Sequence, residues 1–269
     1  MRAKCNMGER FAVVAMVWCC ALWMAAPAQA QNEAGWRQSE RIGAQLYALG
    51  RAAQAAYEAG EDVRSFRRDD KILDWVAEHS GSDYQITFVG EARDGTPIAL
   101  YQVRIGSSGV VIDPLRRLDK SPLPGQLAAQ YQAGKSAAGV EHTACSSDYQ
   151  TLVVRDGESG QQDWQVYLLP LSSYPDVIIF GGSYRVDVTP NGDSVRTVTA
   201  LAAEGCSVLP NPPDAAALQQ DGAPEAGPNE LHVYRSLQAG KPLYVVSANN
   251  TWLIQDGRIR HMPGGVPGA

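Results

Sequence analysis

The sequence predicts an α+β protein: N-terminal amphipathic helices packed on an antiparallel, hairpin-rich β-sheet, with a C-terminal β-meander. Three observations carry this. Apolar residues recur at spacings of three and four from residue 42 to about residue 79. From residue 84 the apolar period becomes two. Four Asn-Gly or Asp-Gly steps then fall between alternating runs, and such steps tolerate the positive φ of hairpin turns.

The first thirty residues read as a cleaved export signal. Arg2, Lys4 and Arg10 give a positive start, Phe11 to Ala26 carry no charge, and Ala28 and Ala30 place small side chains before Gln31. Sixteen apolar residues are short of the roughly 20 that cross a bilayer. Met16, Val17 and Trp18 are too bulky for a lipidation motif ahead of Cys19 and Cys20. The expected destination is the periplasm or the cell exterior. Removing three basic and one acidic residue from 23 and 29 leaves 20 and 28, a net charge of −8. Nucleic acid is therefore not an expected partner, because phosphate binding needs a basic surface. Nor is stable membrane insertion expected once the leader is gone.

Signal removal also takes Cys5, Cys19 and Cys20, leaving Cys145 and Cys206. Two cysteines in an exported chain are most simply a disulfide. Its loop of about 60 residues stabilises by on the order of 4 kcal/mol in a chain-entropy view. The competing reading makes Cys145 a nucleophile activated by His142 in the run EHTAC, with Asp148 or Glu141 orienting the imidazole. Four scattered histidines and no ligand spacing assign no metal, and no cofactor motif is present.

In the body, residues 31–208, one long helix is expected from about Asn32 to Gly60, with Ile42, Leu46, Leu49, Ala53 and Ala56 on one face. A second helix is expected over DDKILDWVAEHSG, capped by Asp70 and stopped by Gly81. Strands flank Asp94-Gly95, Asp156-Gly157 and Asn191-Gly192. A short helix is expected from Gln126 to Gln132, after Pro122 and Pro124. Residues 209–229 are rich in Pro and Ala and read as a linker or loop. Residues 230–262 read as a β-meander that opens with ELHVYRS and holds the fourth hairpin at Asp256-Gly257. The meander is expected to extend the main sheet, since so few residues do not hold themselves folded. Residues 263–269 read as a disordered tail. No internal repeat of fixed period is visible.

Two further clusters are candidate binding groups. On a strand, His232, Tyr234 and Ser236 would share one face. In FGGSYR, Gly181-Gly182 allow a close backbone approach, and Arg185 is placed to meet a carboxylate. Hydrolase, phosphate-binding and dinucleotide motifs are all missing. The leading functional expectation is a non-catalytic envelope binding module whose partner is another envelope or secreted protein, for example as an inhibitor, an immunity-type factor or an assembly accessory. The alternatives are a periplasmic hydrolase using Cys145 and His142 or a carboxylate pair, and a carrier of a small ligand.

Overall fold

The computed structural model describes residues 28–155, 162–202, 205–221 and 227–263. Most of the expected leader, the Asp156-Gly157 turn and nearly all of the expected tail lie outside them. Helix α1 spans Ala28–Glu61, as its period predicts. The described residues 28–35 fall in a unit apart, and the sheets and remaining helices all belong to the larger unit from Trp36 onward.

After the single turn α2 (Arg64–Arg67), the chain forms a four-stranded antiparallel meander of β1 (Asp74–Ser80), β2 (Asp83–Glu91), β3 (Pro97–Ile105) and β4 (Val111–Arg117). The expected second helix is therefore corrected to strand β1. Its apolar residues fit both periods, and pairing with β2 from Asp74↔Val89 to Ser80↔Asp83 decides between them. Strand alternation sends Trp75 and Ala77 toward the main core and Val76 into a second cluster with Val89, Leu123 and Leu127.

Helix α3 (Gly125–Ala138) runs a turn and a half beyond expectation. It leads to β5 (Tyr149–Arg155), β6 (Trp164–Pro170), β8 (Tyr184–Val188) and β9 (Val195–Ala200), a second antiparallel sheet in the order β5-β6-β8-β9. Strand β7 (Val177–Ile179) leaves that sheet to pair with β10 (Val208–Pro210). The expected linker is thus partly strand: β10 and β11 (Leu218–Asp221) lie at or in it. Alternating Pro and small residues conceal these short pairings.

The segment ELHVYRSLQA is helix α4 (Glu230–Ala239) rather than a strand, which corrects the opening of the meander. Asn229 caps it by accepting from the Leu231 N–H at 3.1 Å, and Gly240 ends it with φ 64°. Strands β12 (Leu243–Val246), β13 (Thr251–Gln255) and β14 (Arg258–His261) form the remaining meander. They do not extend another sheet: β11 joins them in parallel, with α4 lying between β11 and β12 in the chain.

An architecture recurs although no sequence period does. Three times a helix precedes an antiparallel meander: α1 before β1–β4, α3 before β5-β6-β8-β9, and α4 before β12–β14. One core joins them, with Leu46 and Leu49 of α1, Phe88 and Tyr101 of the first sheet, Tyr167 of the second and Leu243 of the third. Helix α3 covers the opposite faces of the first two sheets, packing Leu127 and Tyr131 on one and Ala133 and Ala137 on the other. Gly43 lets α4 approach α1; a Cβ there would lie 2.6 Å from that of Val233.

Candidate functional site

The first two sheets present edge strands β1 and β5 to each other without pairing. One side chain of α3 spans the gap. Gln130 accepts the Ala77 N–H of β1 at its Oε1 (3.2 Å) and donates from Nε2 to the Val153 carbonyl of β5 (3.3 Å). A backbone peptide unit of a middle strand does the same, accepting from one neighbour and donating to the other. The gap is therefore about one strand wide, since paired strands lie about 4.8 Å apart.

The two ends of the gap differ. At one, the Asp74 carboxylate accepts the Trp75 N–H at 2.8 Å, which occupies an edge donor locally, and burial raises the pKa of that carboxyl. At the other, the gap widens into an open cleft of about 820 Å³ reaching Arg41, His79, Gln130, Arg155 and Trp164. Arg155 is held in place there. Its guanidinium stacks 3.6 Å over the Trp164 ring, Nη1 donates to Gln126 Oε1 at 2.9 Å, and Nη2 donates to the Pro190 carbonyl at 3.2 Å. Burial lowers its pKa, opposed by Asp163. The described lining of the cleft carries two arginines and a histidine and no carboxylate.

Cys145 and Cys206 are disulfide-bonded, with Cα atoms 5.2 Å apart and a sequence separation of 61. The bridge ties the loop before β5 to the loop after β9, as the spacing suggests. A sulfur in a disulfide offers no thiolate, so the cysteine–histidine catalytic pair is not assembled. His142 instead packs edge-on against Tyr149 and Tyr184, both at 5.3 Å, and its Nδ1 lies 2.9 Å from the Val140 carbonyl. Gly181 is explained by crowding against backbone, and Gly182 by crowding against side chains and by its positive φ of 74°. A Cβ on Gly181 would collide with the Gly205 carbonyl, and one on Gly182 would lie 2.7 Å from Cys145 Sγ.

His232, Tyr234 and Ser236 form no exposed row. All three are buried on α4, and a helix does not put alternate residues on one face. The Tyr234 hydroxyl donates to Gln150 Oε1 at 2.9 Å. His232 packs on Phe180, and its Nδ1 lies 2.7 Å from Asn229 Oδ1 and 3.2 Å from the Asn229 backbone N. One neutral imidazole serves only one of these contacts at a time, and its Nε2 is buried with no partner among the described residues. Burial pushes the His232 pKa down to about 4, opposed by the Asn229 contact.

Arg185 does meet a carboxylate. Its Nη1 lies 3.4 Å from Glu230 Oε1, which also accepts the Tyr167 hydroxyl at 3.1 Å, and its Nε lies 3.3 Å from Asp187. Burial opposes the charge on Arg185, but Asp187, Tyr167 and Glu230 more than offset this and raise its pKa. Its partners are inside the protein, which makes Arg185 a packing residue. Gln130 and Arg155 have no local signature; only the meeting of β1 with β5 gives them a role.

Among the described residues no cluster of three or more His, Cys, Asp or Glu is placed to hold a metal, and no helix is long and apolar enough to cross a membrane. No family model and no curated protein match the sequence. Among solved structures, the chain is similar to the Bacillus megaterium YpeB C-terminal domain at 14% identity and a TM-score of 0.19. That match covers 56% of this chain and 66% of the other, a likeness too slight to carry an argument.

Proposed function

We propose that this is an exported envelope protein with a non-catalytic binding role. On this reading the cleft between β1 and β5 takes an extended, acidic peptide segment of a secreted or envelope partner by strand addition. The observation that carries it is the Gln130 bridge, which occupies the place of one peptide unit between two unpaired edges. Beyond it, His79 of β1 and Arg155 of β5 line the open cleft. Arg155 supplies a positive group to that lining within an acidic chain, which favours an acidic occupant. Export is supported by the leader pattern of residues 1–30 and by the Cys145–Cys206 bridge, which suits an oxidising compartment.

A photo-crosslinking residue at His79 tests this against one at Val198, on the exposed strand β9. Aspartate- and glutamate-rich extended peptides should label at His79 and not at Val198. Arg155→Ala should weaken their binding about tenfold or more. Equal labelling at both positions, or affinity indifferent to Arg155, would remove the reading.

A further inference from the structure

A second arginine presents a different problem. Arg235 lies inside α4 and is 3% exposed. Its Nη1 donates to Gln238 Oε1 at 2.7 Å and its Nη2 to the Pro170 carbonyl at 3.2 Å, the guanidinium lies 5.2 Å from the centre of the Tyr234 ring, and Nε is buried with no hydrogen-bond partner among the described residues. Both acceptors are neutral. Among the described residues no carboxylate forms an ion pair with it. Burial lowers its pKa, opposed by Tyr234, yet a guanidinium stays protonated at neutral pH. A buried charge without a counter-charge is costly, and proteins keep such groups paired.

The missing partner has room to bind. Arg235 lines a surface cleft of about 210 Å³, together with Leu171, Tyr174, Ile178, Asn211 and Gln238. Tyr174 and Leu171 are 70% and 39% exposed, large apolar groups at its mouth. Asn211 brings a second orphan, a buried Oδ1 that accepts from nothing among the described residues. The site therefore offers a cation, a hydrogen-bond acceptor and an apolar wall. A carboxylate adjacent to an amide N–H and an apolar side chain satisfies all three. By volume the cleft equals about seven waters of liquid, on the scale of one such residue.

We propose that this cleft binds the carboxylate end of an apolar, N-acylated amino acid, whether as a peptide C-terminus or as a free small molecule. The carboxylate pairs with Arg235, the N–H donates to Asn211 Oδ1, and the side chain packs on Leu171 and Tyr174. The site lies apart from the β1–β5 cleft and stands independently of it.

Calorimetry on the full chain provides the test, with N-acetyl-leucine, its amide, and a hexapeptide ending in leucine as free acid and as amide. At least one acid should bind, with its amide about tenfold weaker or more. Binding of the hexapeptide alone identifies a chain terminus; binding of both acids, or of N-acetyl-leucine alone, identifies a site open to small molecules. Tyr174→Ala changes only a surface group and should weaken the same acid, and Arg235→Met should abolish its binding. The proposal is overturned if neither acid binds, if acid and amide bind alike, or if Arg235→Met binds unchanged. Because the acid–amide contrast is read on the unaltered protein, it stands even where a variant misfolds.

Discussion

Arg185 and Arg235 both send a guanidinium into the protein next to α4, and they are resolved in opposite ways. Arg185 reaches Glu230 in the first turn of the helix and Asp187 on its own strand. Arg235, five residues further along α4 than Glu230, meets a glutamine, a carbonyl and the Tyr234 ring, and among the described residues no carboxylate. The first arrangement is closed: charge, counter-charge and hydroxyl are all supplied by the chain. The second is open and lines a surface cleft. A protein that meets the cost of one buried charge internally and leaves the other unmet separates a structural arginine from one awaiting a ligand.

The contrast is sharpest under substitution. Glu230→Ala leaves the buried Tyr167 hydroxyl without its acceptor and Arg185 with Asp187 as its one remaining carboxylate, and should cost about 3 kcal/mol of stability in urea unfolding. A loss well under 1 kcal/mol would mean that the closed network is not closed. Acid should disturb the same end of α4. His232 has a folded pKa of about 4 against an ordinary 6.5, so the unfolded chain binds its proton first as pH falls. Its contribution is intact above about pH 6.5 and is lost as pH drops toward 4, about 3 kcal/mol in all. Urea midpoints measured at pH 7.5 and pH 4 should converge in His232→Gln relative to the parent. Arg235→Met should have the smallest effect, from no change to a gain of about 1 kcal/mol, because an apolar side chain replaces an unpaired charge. A substantial loss there would make Arg235 structural after all and erase the distinction.

Local chemistry makes much of the fold legible. The hairpins at Asp94-Gly95, Asn191-Gly192 and Asp256-Gly257 follow from turn residues, and in the last of these even Asp256 takes a positive φ of 51°. Helix α1 follows from its period, and the disulfide from two cysteines left in a chain read as exported. Two elements mislead because short apolar runs satisfy both periods. In ELHVYRS, Leu231 and Val233 alternate like a strand, while the helix signals stand just outside, at Asn229 and Gly240. In DDKILDWVAEHSG the reverse happens, and pairing with β2 settles it. The site residues are hidden for a different reason. Gln130 matters only because two strands from separate sheets lie on either side of it, and Arg235 only because no carboxylate does. Neither fact is local in sequence.

The Cys145–Cys206 bridge has a mechanical consequence. Tension applied to the two ends of the chain passes from one sulfur to the other and bypasses the intervening polypeptide. About 200 Å of contour is thereby withheld from extension, at roughly 3.4 Å for each of the 61 residues spanned. Strands β5 to β9 would stay sheltered from a pulling force that had already stripped the rest of the molecule.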